Sequence, residues 1–194
     1  MTGVTKFAVF ASGSGTNFQA IYDAVQVGNL AGEVVLVVTD MPGAFVVERA
    51  EKAGIDILAI KPASFPSKAA YEQVILEKLR ELDVEWIVLA GYMRLIGDVL
   101  LEAFPNRIIN IHPSLLPAFP GKDAIGQAMG HGVKVTGVTV HYVDAGMDTG
   151  NIIAQQAVEV VEGNREQTEE RIHAVEHALY TKALQQLFEN KLID

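Results

Sequence analysis

The first half of the chain alternates short apolar runs with segments in which apolar residues recur every three or four positions. The runs predict β-strands, and the three-to-four spacing predicts amphipathic helices. Strands are expected at residues 6–11, 34–39, 55–60, 86–90 and 107–111, and helices at residues 17–26, 45–53, 68–82 and 95–103. This alternation is typical of an α/β fold with a doubly wound, mostly parallel sheet, which binds ligands beyond the carboxyl ends of its strands.

The pattern changes after Pro113, where several prolines predict a stiff loop. Residues 133–143 and 151–161 then predict two long strands, which we expect to pair antiparallel as a C-terminal extension of the sheet. A long final helix is expected to begin near Asn164, because asparagine is a favourable N-cap and Gln167 stands at the capping-box position.

The composition narrows the class of protein. The chain has 194 residues, and 49% of them are hydrophobic, so we expect one domain with a sizeable core. A formal net charge of −9 disfavours nucleic acid and anionic membrane surfaces as partners, because both are bound through clustered Lys and Arg. The chain contains no cysteine and no apolar stretch of membrane-spanning length, which favours a cytoplasmic protein.

The first predicted strand runs into the sequence SGSGTN (residues 12–17) and then into a helix. Glycines allow a ligand to approach the backbone closely, and amides at a helix N-terminus bind phosphate. A dinucleotide fingerprint would need a third glycine where Phe18 stands, although Asp40 at the end of the second strand keeps a nicotinamide cofactor open as an alternative. We favour a mononucleotide phosphate site over a tight turn without a ligand.

The predicted final helix contains the pattern H-x-x-E-H, with His173, Glu176 and His177. That pattern binds zinc in some proteases, but an exposed helix edge explains two histidines more simply, and we expect no metal. Glu176 falls on the apolar stripe of the helix, where a carboxylate needs a partner. The partner is either another side chain or a ligand.

Asn110 and His112 form the strongest constellation in the chain. Residues two apart in a strand point to the same face, so both side chains project together at the carboxyl end of the fifth predicted strand. Asp148 begins the triplet Asp-Thr-Gly, which occurs once here, whereas aspartic-protease chemistry needs two aspartates that share a proton. The protease interpretation is therefore rejected.

The sequence NIHPSLLP (residues 110–117), followed by Pro120-Gly121 and the Asp148 triplet, resembles the folate-dependent formyltransferases. The glycine segment narrows this resemblance to the members that formylate glycinamide ribonucleotide, and the likeness runs from residue 6 to about residue 188. It implies a Rossmann-like formyltransferase fold. It also implies transfer of a formyl group from 10-formyltetrahydrofolate, as co-substrate, to the ribonucleotide amine in de novo purine biosynthesis.

The resemblance also implies roles for individual residues. The residues that match the family's catalytic positions are Asn110, His112 and Asp148. The residues expected to bind the ribonucleotide are Gly13, Ser14, Gly15, Thr16, Asn17 and Glu176. The residues expected to bind the folate are Lys68, Met93, Arg94, Leu95, Ile96 and Asn110. We expect one formyltransferase domain (1–194) with a nucleotide-binding half (1–112) and a folate-side half (113–194), small-molecule substrates, and homodimer formation left open.

Three positions depart from the family pattern. Lys68 stands where arginine is common, Asp123 where some relatives carry histidine, and Asn151 where proline often follows the Asp-x-Gly triplet. A lysine would keep the charge of that folate contact but lose its bidentate geometry. The departures leave the affinity for folate and details of the loops open.

The alternative activity is that of a formyltetrahydrofolate hydrolase, in which water replaces the amine. That relative usually carries an additional N-terminal domain, and the tRNA-directed relative an additional C-terminal one, so we expect neither. In the main interpretation, formyl transfer passes through a tetrahedral oxyanion. Asn110 and a protonated His112 are expected to donate hydrogen bonds to it, while Asp148 orders a proton-carrying water.

Overall fold

The computed structural model describes residues 3–190, which contain a central seven-stranded sheet. Its strands are β1 (Thr5–Phe10), β2 (Gly32–Thr39), β3 (Asp56–Ala59), β4 (Trp86–Leu89), β5 (Ile108–His112), β6 (Val135–Tyr142) and β7 (Ile152–Glu159). They lie in the order β3-β2-β1-β4-β5-β6-β7; the first five are parallel, and β6 runs antiparallel to β5 and β7. The predicted fold class is confirmed.

Helices cover both faces of the sheet. They are α1 (Thr16–Gln26), α2 (Phe45–Ala53), α3 (Lys68–Glu81), α4 (Asp98–Ala103), α5 (Ala124–Gly130) and α6 (Arg165–Asn190). Along β1, Phe7 and Val9 belong to the core under α1, α2 and α6, whereas Ala8 and Phe10 belong to the core under α3 and α4. Because these four residues of β1 are buried on both faces, residues 7–10 form a continuous apolar run.

The long helix α6 is bonded directly to the middle of the sheet. Tyr180 is fully buried, and its hydroxyl lies 2.6 Å from the carbonyl oxygen of Leu89 and 3.1 Å from that of Ile109. At the start of α6, the Asn164 side chain accepts the Gln167 N–H at 3.0 Å, which confirms the predicted N-cap. These contacts hold α6 against the ends of β4 and β5.

Two helices differ from expectation. No helix is predicted between the proline-rich loop and the strand expected at residue 133, but this segment contains α5, whose two glycines, Gly126 and Gly130, give it little intrinsic helical preference. Burial of Ala124, Ile125 and Ala128 stabilises it instead. Helix α4 begins at Asp98 rather than at residue 95, which leaves the preceding residues as an irregular segment after β4. None of the helices within residues 3–190 has the length and apolar character needed to cross a lipid bilayer.

The order of the strands in the sheet determines where a ligand-binding crevice can form. β1 and β4 are neighbours at the centre of the sheet, but the chain leaves β1 toward α1 on one face and leaves β4 toward α4 on the other. Loops that diverge in this way open a crevice at the carboxyl ends of the two strands. Next to it, the antiparallel pairing of β6 with β5 sets His141 opposite Asn110 and Thr139 opposite His112.

Candidate active site

The crevice continues into a cavity of about 850 Å³. Among the residues expected to form a site, those that line the cavity are Gly13, Ser14, Gly15, Thr16, Asn17, Met93, Arg94, Leu95, Ile96, Asn110, His112, Asp148 and Glu176. Lys68 is the exception, because it lies beside Gly97 at the start of α3, outside the cavity wall. The halves 1–112 and 113–194 both contribute to this one cavity.

The glycine-rich segment turns its carbonyl groups away from the cavity. The carbonyl of Gly13 accepts the Val46 N–H at 3.1 Å, and that of Ser14 accepts the Arg49 Nε–H at 2.7 Å. The carbonyl of Gly15 accepts the Gln19 N–H and starts α1, whose N-terminus has no side-chain cap. The first amides of a helix lack partners within it, so this segment presents hydrogen-bond donors suited to a phosphate group.

Gly15 is required by its conformation and by its surroundings. Its φ of 75° lies in the left-handed region, which disfavours side chains. A Cβ atom at this position would lie 2.7 Å from Cγ2 of Val46, a fully buried residue of α2. The close approach of α2 to the segment therefore depends on a glycine here.

Glu176 has the partners that its place on the apolar stripe called for. Its carboxylate is buried, with Oε2 3.0 Å from Nδ1 of His173 and 3.4 Å from Nδ2 of Asn17. The hydrogen bond that the His173 ring donates to the Glu176 carboxylate raises the pKa of His173 above its ordinary value. Asn17 Oδ1 is buried without a partner among residues 3–190. Asn17, His173 and Glu176 line the end of the cavity beside the glycine-rich segment.

The histidines of the H-x-x-E-H pattern have different surroundings. His173 lines the cavity, whereas burial lowers the pKa of His177, which favours a neutral ring. Within the part of the chain that the structure describes, no group of three or more His, Asp or Glu side chains is arranged to hold a metal ion.

The three candidate catalytic residues converge on one wall of the cavity. Nδ1 of His112 lies 3.5 Å from Oδ2 of Asp148, and its Nε2 lies 2.9 Å from the carbonyl oxygen of Phe119. Asp148 also accepts the Gly121 N–H at 2.8 Å. The side chain of Asn110 makes no hydrogen bond to any residue of the described range, although it lines the cavity, so its amide is free to meet a substrate.

His141 is a site residue that sequence reasoning missed. Its side chain is almost fully buried; Nδ1 lies 2.9 Å from the carbonyl of Tyr142, and Nε2 lies 3.8 Å from Oδ1 of Asp148. Asp148 therefore stands between two imidazoles. The signal in the sequence was the two-residue spacing of Thr139 and His141, but using it requires the register between β5 and β6.

The segment Met93 to Gly97 follows β4 and is held at both ends by side chains. The Met93 N–H donates to Oγ of Ser12 at 2.9 Å, and the Gly97 N–H donates to Oε2 of Glu72 at 2.8 Å. Glu72 is buried, and burial raises the pKa of its carboxyl group. Met93 and Leu95 are exposed between these anchors, which makes this segment a wall for a flat, partly apolar ligand.

Asp40 was the residue that left a nicotinamide cofactor as an alternative, and its carboxylate is bonded to other side chains of the protein. Its carboxylate is buried: Oδ1 accepts the Ser12 hydroxyl at 2.5 Å, and Oδ2 lies 4.0 Å from Nη1 of Arg94. A carboxylate engaged in this way is not presented to the ribose of a dinucleotide. The nicotinamide alternative is therefore not supported.

One of the three departures from the family pattern has a structural account. Asp123 accepts the Gly126 N–H at the start of α5 and lies 2.6 Å from Nη2 of Arg165, so it ties α5 to the start of α6. This contact with Arg165 lowers the pKa of Asp123. The main-chain carbonyl of Asn151 accepts the Tyr142 N–H at 2.9 Å, but a proline would supply the same carbonyl, so nothing in the structure explains this departure.

Comparison with known proteins gives consistent results. The profile of the family described as formyl transferase matches residues 5–184. The chain is 57% identical over 183 residues to the phosphoribosylglycinamide formyltransferase of Bacillus subtilis (strain 168), covering 94% of each chain. It is 43% identical over 182 residues to the trifunctional purine biosynthetic protein adenosine-3 of Drosophila pseudoobscura pseudoobscura, covering 92% of this chain and 13% of that longer protein.

A solved structure shows the same architecture. The crystal structure of glycinamide ribonucleotide transformylase 1 from Geobacillus kaustophilus superimposes with a TM-score of 0.93 at 58% sequence identity, covering 96% of this chain and 100% of that one.

Gly15→Ala is expected to destabilise the protein by about 2 kcal/mol or more, because left-handed strain and overpacking against Val46 add together. Gly28→Ala is a matched control: Gly28 has a φ of 80°, but its Cβ would meet open space. The control should lose only about 1 kcal/mol. Urea denaturation measures both free energies of unfolding, and equal losses would contradict the close approach.

Proposed function

Because the chain belongs to the formyl transferase family, we propose that it transfers a formyl group from 10-formyltetrahydrofolate to the amino group of glycinamide ribonucleotide in purine biosynthesis. The observation that carries this proposal is the convergence of Asn110, His112 and Asp148 opposite a glycine-rich segment in one cavity. Two of the relatives reported above are named for formyl transfer to this ribonucleotide, and none is named as a hydrolase.

The ribonucleotide is placed with its phosphate on the amides of the glycine-rich segment. The carbonyls of that segment are bonded elsewhere, so they do not repel an anion there. His173 lines the same end of the cavity and supplies positive charge, while the Glu176 carboxylate offers an acceptor for the ribose hydroxyls. The amine is thereby directed toward the wall that carries Asn110.

The folate is placed along Met93 to Ile96, where backbone groups and exposed apolar side chains suit a flat heterocycle. Arg94 lines the cavity and Lys68 lies just beyond it, so both cations are available to the carboxylates of the folate tail. All of these groups come from a single chain. The proposed place of action is the cytoplasm.

The proposed reaction is a direct displacement. The ribonucleotide amine attacks the formyl carbon, a new C–N bond forms, and the carbonyl oxygen becomes an oxyanion. The bond to the folate nitrogen then breaks as a proton passes from the attacking amine to that nitrogen. Nδ2 of Asn110 donates to the oxyanion, because it has no competing partner in the described residues.

His112 and Asp148 are proposed to handle the proton. The two ring nitrogens of His112 face the Asp148 carboxylate and the Phe119 carbonyl, so a ring that carries both protons satisfies both oxygens. The substrate oxygen then competes with the Phe119 carbonyl for the Nε2 proton. Asp148 holds the ring and orders a water through which the amine proton leaves.

The direct test incubates the purified protein with 10-formyltetrahydrofolate and follows the folate product with and without glycinamide ribonucleotide. We expect product to form only when the ribonucleotide is present. Product formed with water alone would identify a hydrolase, and no turnover in either case would identify a non-catalytic binding module.

Asn110→Ala and His112→Ala should each lower kcat by about 100- to 1000-fold, the usual cost of one lost donor to an oxyanion. Circular dichroism should show an intact fold in both. Asn29→Ala, at an exposed position outside the cavity lining, serves as the control and should keep normal turnover. Near-normal kcat in a folded Asn110 or His112 variant would refute the catalytic assignment.

Ribonucleotide binding should weaken as the pH rises. The pKa of His173 is raised by Glu176 on the same helix, with a smaller contribution from Glu169, so the imidazolium persists above the ordinary histidine pKa and is lost at higher pH. The phosphate has a second pKa of about 6 and is mostly ionised at about pH 7, but the ribonucleotide amine has an ordinary α-amino pKa of about 8 and titrates in the same range. The test therefore compares the wild-type protein with a variant that lacks the imidazole. Between about pH 7 and pH 9 we expect the wild-type protein to lose about fivefold more affinity than that variant, the effect of a half-exposed ion pair.

The matched variant His173→Gln keeps a hydrogen-bonding side chain but cannot be protonated. At about pH 7 it should bind the ribonucleotide about fivefold more weakly than the wild-type protein, and the two affinities should converge toward about pH 9, as measured by calorimetry. If the variant retains the pH dependence of the wild-type protein, then His173 is not the titrating group.

A further inference from the structure

Ser12 connects the two loops that leave the central strands. Its N–H donates to the carbonyl of Gly91 at 3.0 Å, and its hydroxyl oxygen accepts the Met93 N–H at 2.9 Å. It is also followed directly by Gly13, the first residue of the proposed phosphate-binding segment. One side chain therefore bonds the nucleotide-side loop to the folate-side loop across the crevice.

Asp40 determines the direction of these hydrogen bonds. A carboxylate can only accept, so the hydroxyl of Ser12 donates to Oδ1 of Asp40 at 2.5 Å and directs a lone pair to the Met93 N–H. Asp40 is 6% exposed, and the guanidinium of Arg94, a residue of the folate-side segment, faces its other oxygen. A charged, buried acceptor strengthens the bond it receives and polarises the next one.

The other end of the folate-side segment is anchored independently. The Gly97 N–H is bonded to Glu72 of α3, which has no part in the nucleotide side of the cavity. A conformational change in the glycine-rich segment is therefore transmitted to residues 93–96 through the hydrogen bonds of Ser12 and its neighbouring backbone. Met93 is 73% exposed, so this hydrogen bond is a main constraint on its position.

Resting on the function proposed above, we propose that Ser12 is a positioning residue that couples the two substrate subsites. A phosphate bound to residues 13–17 fixes the backbone next to Ser12, and Ser12 then holds residues 93–96 in the arrangement that binds folate. Coupling between two equilibrium sites is reciprocal, so bound folate tightens ribonucleotide binding by the same factor. Asp40 supports this role by orienting the hydroxyl.

The test measures the Kd of glycinamide ribonucleotide by calorimetry, with and without saturating tetrahydrofolate, the deformylated product, under anaerobic conditions. In the wild-type protein, tetrahydrofolate should tighten ribonucleotide binding by about fivefold or more. In Ser12→Ala this factor should fall below about twofold, while each ligand alone binds within about threefold of wild type. A purely structural role would weaken single-ligand binding and leave the factor unchanged.

Ser64→Ala is the matched control, because Ser64 is exposed and lies away from the cavity lining; it should keep the wild-type factor. Asp40→Asn provides a second variant if Ser12→Ala does not fold. Its amide still accepts the hydroxyl but lacks the charge, so the factor should lie between those of wild type and Ser12→Ala.

Either of two results overturns the inference: a wild-type protein that binds both ligands without coupling, or a Ser12→Ala protein that keeps the wild-type factor. If the wild-type protein binds neither ligand, then the proposed function itself fails and the inference fails with it. The turnover assay separates these cases, since an uncoupled transferase still requires the ribonucleotide.

Discussion

The parallel pairing of β1 with β4 is the constraint on which the rest of this structure depends. These strands are buried on both faces of the sheet. Successive apolar side chains therefore pack alternately into the core on one face and the core on the other. Because α1 and α4 pack on opposite faces, the loops after the two strands must separate. The cavity exists because of that separation, and we propose that the two substrates bind along its two edges.

A chain with a negative net charge can bind anionic substrates only if positive or hydrogen-bond-donating groups lie close to them in the site. The formal net charge of −9 works against a phosphate and the carboxylates of a folate at long range. Backbone amides and basic side chains at the cavity supply the attraction at short range instead. The carbonyls of the glycine-rich segment are bonded to α2 and α1, which leaves amides toward the cavity, and Arg94 and Lys122 line its other side. These groups act within a few ångströms, where the distant carboxylates are screened.

The strands of the parallel half could be predicted from the sequence because each is a local run of apolar residues. Such a run can be recognised without knowing which strands it pairs with. Asn110 and His112 were found from the two-residue period of a strand. Asp148 was identified only by resemblance, since no local pattern shows that the β6–β7 loop returns to His112. His141 was missed for a related reason, because its place opposite Asn110 is a property of the β5–β6 register. Helix α5 was missed because burial, rather than helical preference, stabilises it.

The conformation of Asp148 links the loop to the chemistry. Its φ of 56° is unfavourable for a residue with a side chain, by about 1–2 kcal/mol. The Gly121 N–H bonded to its carboxylate and the two facing imidazoles offset that strain. These partners come from β5, β6 and the loop after β5, so the strained conformation is supported only when all three are in place. A carboxylate held in this way faces His112 only when the wall of the cavity is assembled, which connects the shape of the site to the proton transfer proposed for it.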